Sequence, residues 1–183
     1  MKVSSGRLKN KKIYSVEKKK LKPTSLKVRQ ALFNIFLHRF SWHDWAKNSY
    51  LLEPYAGTGS ISIEALSLGI LGCFLVEQDR EIFLNLNDNF KRLNLNDKVL
   101  LSNQDFFSIR KFNNNFKVVF LDPPFNKDLL NLSLEKIMDE KILSKNAIIV
   151  CESEKNYKFK KIIANKLVFS KIYGRLKLTF FVI

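Results

Sequence analysis

Two groups of residues in this 183-residue chain have the types and spacing to do chemistry. The first is Asp122-Pro123-Pro124-Phe125, which follows the run Lys117 to Leu121. Val118, Val119, Phe120 and Leu121 form a continuous apolar stretch suited to a parallel strand covered on both faces. The two prolines cannot donate to a ladder, and they fix the backbone where the sheet stops. A carboxylate and a peptide carbonyl held side by side suit one task, accepting the two N–H bonds of an exocyclic amine. Such an amine is a poor nucleophile because its lone pair is delocalised into the base, so a catalyst has to aim it. Asp122 and the Pro123 carbonyl can do the aiming, and Phe125 can stack on the base, a contact of about 1–3 kcal/mol on alanine substitution. The plainer reading of the same residues is a proline-rich strand stop with a packed ring.

The second group is a series of acids at the ends of apolar runs: Glu53, Glu77, Asp105 and again Asp122. One such acid alone is more often a turn former or helix cap. Four in register point to a ligand beyond the carboxyl ends of parallel strands. In Glu53-Pro54-Tyr55-Ala56-Gly57-Thr58-Gly59, two glycines let the backbone of a helix-entry turn approach that ligand closely. The third glycine of G-x-G-x-x-G is missing, and Glu53 would repel a pyrophosphate but accept from an ammonium group. Glu77 stands where an acid takes ribose hydroxyls. The ligand is therefore nucleoside-like, cationic and free of phosphate, properties that S-adenosyl-L-methionine combines.

The elements that must position these groups are legible as alternating strands and helices. A helix is expected from Thr24, a candidate N-cap, with Leu26, Val28, Ala31, Leu32, Ile35 and Phe36 on one face. "SYLLEPYAGTGSISIEALSLG" reads as strand, turn and helix with Gly69 as the stop. "LGCFLVEQD", "KVLLSNQDFF", "KVVFLDPPF" and "NAIIVCES" read as further strands, with helices at "REIFLNLNDNFKRLN" and near Leu129 to Glu140. This alternation implies an α/β fold, a mostly parallel sheet with helices on both faces. The tail "NKLVFSKIYGRLKLTFFVI" reads as a closing hairpin. Residues 1–22 are expected to be a basic arm or small β extension, and residues 23–183 the main domain.

A net charge of +15 points to a polyanionic partner. Between Met1 and Arg29 eleven basic residues face the single acid Glu17. The bland alternative is a solvated charge run in a Lys- and Asn-rich chain. No apolar run approaches the roughly 20 residues of a membrane span, and the N-terminus lacks a signal-peptide core, so the expected compartment is the cytoplasm, with no membrane partner. Cys73 and Cys151 read as free buried thiols, and with only His38 and His43 no metal centre is expected.

The segments "KPTSLKVRQALFNIF", "LLEPYAGTGSISIEALSLG", "FLVEQDREIFLNLNDNF" and "VVFLDPPF" together resemble the bacterial 16S ribosomal RNA guanine-N2 methyltransferases, a family of class I S-adenosylmethionine-dependent enzymes marked by Asp/Asn/Ser-Pro-Pro-aromatic. The resemblance implies a Rossmann-like, seven-stranded sheet with an antiparallel C-terminal strand. It implies that Glu53, Gly57 and Gly59 line the methionine end of the cofactor, Glu77 the ribose, and Asp105 with Phe106 the adenine, with Tyr55, Ala56 and Gln78 also in the cofactor site. Asp122, Pro123, Pro124 and Phe125 would hold the guanine amine. Arg7, Lys9, Lys11, Lys12, Lys22, Thr24, Lys27 and Arg29 would meet 16S ribosomal RNA, naked or in a partly assembled small subunit, with the protein a monomer. This chain departs from the family's usual pattern at Glu53-Pro54-Tyr55, at Lys22 in place of Arg and at Phe125 in place of Tyr. Two other readings stay open at this point: an adenine-N6 DNA methyltransferase, which normally needs more chain to select its site, and a non-catalytic RNA-binding protein on the same scaffold.

Overall fold

The computed structural model describes residues 1–17, 24–125 and 128–183. Its backbone contacts gather into two compact units, Met1–Phe106 and Phe107–Ile183. Lys22 and the expected boundary after it lie outside the described residues.

In the first unit, helix α1 spans Leu26–Arg39. Its N-cap is Ser25, whose hydroxyl accepts from the Val28 amide at 3.3 Å, one residue later than the expected cap Thr24. The buried face is Val28, Arg29, Leu32, Phe33, Ile35 and Phe36, whereas Leu26 is 51% exposed. The apolar stripe is thus rotated from the expected one, because Phe33 and Phe36 pack on the fully buried Trp42, with ring centroids at 5.8 and 5.3 Å. Trp42 opens α2 (Trp42–Trp45), one helical turn and too short to show periodicity in the sequence.

Strand β1 (Tyr50–Glu53) leads through the glycine turn into α3 (Ser60–Ser67), which stops at Gly69 with φ +93°. Then come β2 (Gly72–Val76), α4 (Arg80–Arg92) and β3 (Val99–Ser102). Asp79 caps α4, its carboxylate accepting from the Glu81 and Ile82 amides. Strand β2 runs parallel to β1 on one side and β3 on the other. Every residue of β2 is buried, as a central strand requires, whereas Leu100 of β3 is 55% exposed.

The basic arm is no loose extension over its first fourteen residues. Lys2 and Lys12 form an antiparallel bridge, and Val3, Leu8 and Ile13 are buried. Helix α3 is buried on every side, and its polar residues hold the arm. Glu64 accepts from the amides and hydroxyls of Ser4 and Ser5. Ser67 accepts from the Arg7 amide at its carbonyl and from the Leu8 amide at its hydroxyl, at 3.0 and 2.9 Å.

The second unit contains β4 (Phe116–Leu121), α5 (Leu129–Asp139), β5 (Leu143–Glu154), α6 (Lys161–Ala164), β6 (Leu167–Tyr173) and β7 (Leu176–Val182). β4 and β5 are parallel, and β7 is antiparallel to both β5 and β6. The expected tail hairpin turns at Gly174, φ +64°, and Phe169 stacks on Phe180 across it at 4.6 Å. The seven strands belong to a mixed sheet whose antiparallel part is C-terminal, as expected. Among the described residues no helix is long and apolar enough to cross a membrane.

Gly6 is the tightest point of the arm. It has φ +73°, and a Cβ there would lie 2.1 Å from the Ser67 carbonyl oxygen. Gly6→Ala therefore displaces the arm, at a cost of about 1–3 kcal/mol. Limited proteolysis should cut the variant within residues 1–17 under conditions in which the wild type is intact; equal resistance would contradict the docking.

Candidate active site and nucleic-acid surface

The glycine turn is held from three sides. From β2, the Val76 carbonyl accepts from the Ala56 amide at 3.0 Å, and the Gly59 amide closes the turn on the Ala56 carbonyl at 2.8 Å. Gly57 and Gly59 have φ of +53° and +73°, which favours glycine. Space at Gly59 demands it too, since a Cβ would lie 2.5 Å from Leu86 Cδ1 and 2.8 Å from Phe90 Cε2 of α4. From α4, the buried Asn89 donates to the Thr58 carbonyl at 3.2 Å.

Glu77 joins this turn to the next. Its half-buried carboxylate accepts from the Gly57 amide at 3.0 Å and from the Asp79 amide at 2.8 Å. Burial raises its pKa, with the neighbouring charge of Asp79 adding to the shift and the backbone donors opposing it. A carboxylate has about four acceptor sites, so these backbone donors do not exhaust it. Glu53 is more deeply placed, 3% exposed at the end of β1. Its Oε2 accepts from both the amide and the hydroxyl of Ser62 on α3. Burial pushes its pKa up to about 8, the Ser62 bonds working against that rise and the charge of Glu77 adding to it. A buried acid in this condition is a strong acceptor for a cation that brings its own charge.

Beyond β3 the structure places Asp105 three residues past the strand, exposed, at the entry to a 3-10 turn at Phe106–Ser108. Phe106 is buried beside the half-buried Tyr55, ring centroids 6.3 Å apart. Gln78 is exposed and Ala56 buried. Of the expected cofactor set, all nine residues thus lie in the first unit, at the end of β1, on the glycine turn or on the turns after β2 and β3.

In the second unit Asp122 follows β4 directly and is half-buried; Pro123 is buried, while Pro124 and Phe125 are exposed, Phe125 to 38%. Three residues past Phe125, Asp128 has φ +49° and is held by a network the sequence did not suggest. Tyr157 Oη and, at 2.8 Å, Asn131 Nδ2 both donate to its Oδ1, and the Lys160 amide donates to Asn131 Oδ1 at 3.1 Å. Burial, then the bond to Asp128, raises the Tyr157 pKa.

The expected RNA-contact residues divide. Arg7, Lys9, Lys11, Lys12 and Lys27 are exposed. Thr24 is buried, at 8%. Arg29 is a correction: it has no exposed surface, its Nε bonds Glu64 Oε2 at 3.2 Å and its guanidinium donates to the Lys2 carbonyl. It holds the arm to α1 and α3 and has no surface to offer a phosphate.

A family model described as Conserved hypothetical protein 95 matches residues 1–182. The chain belongs to the Conserved hypothetical protein 95 family. Within reach of this family, the ribosomal RNA small subunit methyltransferase D of Buchnera aphidicola is 30% identical over 84% of this chain and 78% of its own length. The solved structure of the Escherichia coli protein yhhF superposes with a TM-score of 0.85 at 25% identity, covering 100% of this chain and 97% of that one. An RNA methyltransferase of Salinibacter ruber in complex with S-adenosyl-L-homocysteine has the same fold, with a TM-score of 0.66 at 18% identity over 88% and 94% of the two chains. The resemblance read from the four sequence segments is to this family.

The raised pKa of Glu53 has a sign that can be measured. Its folded value, about 8, exceeds the ordinary 4.5, so the native protein is the better proton binder. That contribution to stability is complete below the ordinary value and is lost as pH rises through about 8. Glu53→Gln removes it while keeping an acceptor for Ser62. The Tm of the wild type relative to the variant should fall as pH is raised from about 5 to about 9; a constant difference would mean Glu53 is ionised throughout.

Proposed function

We propose that this protein is an S-adenosylmethionine-dependent ribosomal RNA methyltransferase, acting as a cytoplasmic monomer on the exocyclic N2 of one guanine in 16S ribosomal RNA. The observation that carries the reading is Asp122-Pro123-Pro124-Phe125 standing directly at the end of a buried parallel strand in a member of this family. The named relatives that are ribosomal RNA small subunit methyltransferases support the substrate class. The cofactor is supported by the donor and acceptor set of the glycine turn: backbone at positive φ for close approach, a half-buried acid suited to ribose, and the buried Glu53 suited to an ammonium group.

S-adenosylmethionine supplies an electrophilic methyl group on a sulfonium centre. The chain's own residues do the rest. Asp122 and the Pro123 carbonyl each accept one N–H of the guanine amine, which orients the nitrogen lone pair and fixes the distance of attack. Phe125 stacks on the base, splayed out of the RNA chain. Methyl transfer would form the N–C bond as the donor's methyl–sulfur bond breaks, its electron pair staying on sulfur as a neutral thioether; the guanine nitrogen becomes cationic and acidic, and its proton leaves to water or to Asp122. No general base is needed before transfer, so placement carries the catalysis.

Asp122→Ala removes one of the two aiming acceptors. Single-turnover methylation should fall by about 10²-fold or more, with S-adenosylhomocysteine affinity within about 2-fold of wild type by calorimetry. Retained turnover would remove Asp122 from the mechanism. For the position of the methyl group, mass-spectrometric mapping of 16S ribosomal RNA from cells with and without this gene should show one N2-methylguanine lost. Methylation at a different base atom would overturn the N2 assignment while leaving the methyltransferase reading in place.

A further inference from the structure

Tyr14 is an exposed aromatic residue in the basic arm, and its surroundings are built with more order than a surface ring requires. Along Lys12-Ile13-Tyr14 the chain alternates: Ile13 is fully buried, so Lys12 and Tyr14 share the outer face. The backbone of Tyr14 is fixed at both polar groups by one side chain. Its amide donates to Asn89 Oδ1 at 2.9 Å, and Asn89 Nδ2 donates back to its carbonyl at 2.8 Å, a rung that ties the arm to α4. Arg92 lies three residues beyond Asn89 on α4, on the same side of the helix. Its Cζ is 4.7 Å from the Tyr14 ring centroid, and Lys12 Nζ is also 4.7 Å from it.

Two exposed cations are therefore held within roughly twice that distance of each other, about one Debye length at physiological salt. Among the described residues neither forms an ion pair; Asp88, one turn before Arg92, makes none with it. Lys11 and Lys91, their exposed neighbours in sequence, add to the positive charge of this part of the surface. The ring offsets part of the repulsion and limits the rotamers of both long side chains. An anion that reaches both cations past the edge of the ring converts the remaining repulsion into attraction, and Tyr14 already orders the side chains. Arginine offers a fork matched to phosphate oxygens, and lysine a compact charge beside it.

We propose that Lys12, Tyr14 and Arg92 form a phosphate clamp for the RNA backbone, extending the nucleic-acid surface from the arm onto α4. The clamp rests on the ribosomal RNA reading above. Asn89 is its positioning residue, and because Asn89 also bonds the Thr58 carbonyl, the clamp and the glycine turn share one buried anchor.

The test is the salt dependence of binding of a labelled 16S ribosomal RNA transcript to Arg92→Gln, Tyr14→Leu and a control, Lys98→Gln, whose exposed lysine is in the 3-10 turn before β3. Arg92→Gln should lower the slope of log affinity against log salt by about 1 and weaken binding several-fold, with cofactor binding retained as evidence of an intact fold. Tyr14→Leu keeps every charge and the Asn89 bonds, so it should weaken binding a few-fold with a nearly unchanged Tm. Lys98→Gln should do neither. Arg92→Gln indistinguishable from Lys98→Gln, or Tyr14→Leu indistinguishable from wild type, would overturn the clamp. Binding is read separately from methylation, so a wild type that binds through the clamp yet fails to methylate this RNA refutes the substrate reading alone.

Discussion

A carboxylate taken out of water must find donors or a cation, and otherwise it holds a proton. The first unit is organised by that constraint. Glu64, fully buried on α3, collects the amides and hydroxyls of Ser4 and Ser5 and the Arg29 guanidinium, and in doing so fastens the basic arm and α1 to the helix behind the glycine turn. Glu53, buried at the end of β1, accepts at Oε2 from Ser62, and its pKa stays high. The two acids thus sort by role. One is surrounded by permanent partners and builds the fold; the other is held in a condition that a cationic ligand would relieve.

The same logic explains why the turn can approach a ligand. Its backbone must stay in a positive-φ conformation without side chains to pin it, so the restraint comes from neighbours. Glu77 takes the Gly57 amide, Asn89 the Thr58 carbonyl, and Leu86 and Phe90 fill the space over Gly59. In the second unit Tyr157 and Asn131 converge on Asp128, three residues past Phe125.

Much of this was legible in the residues themselves. Buried parallel strands are continuous apolar runs, so β1, β2, β4 and β5 stood out, and the predicted acids Glu53, Glu77, Asp105 and Asp122 fall at or just past the ends of β1, β2, β3 and β4. The hairpin of β6 and β7 was legible from two β-rich runs around Gly174. Less visible were features that depend on what an element packs against. The α1 stripe shifted because Trp42 lies on one side of it, and Arg29, read as an RNA contact from its place in a basic run, is wholly buried against Glu64. A count of charges along the chain cannot tell a solvated arginine from one facing a buried acid 35 residues away.

What the sequence by itself determined is the local grammar: element types, the strand-end acids, the glycine turn and the Asp-Pro-Pro-aromatic stop, because each follows from backbone sterics and side-chain periodicity over a few residues. Tertiary structure alone decided the partners. Asn89 meets Tyr14 across 75 residues, Glu64 meets Ser4 across 60, and Tyr157 meets Asp128 across 29. Hydrogen bonds and charge pairs act over a few ångströms of space, and distance along the chain carries no record of which distant groups folding brings within that range.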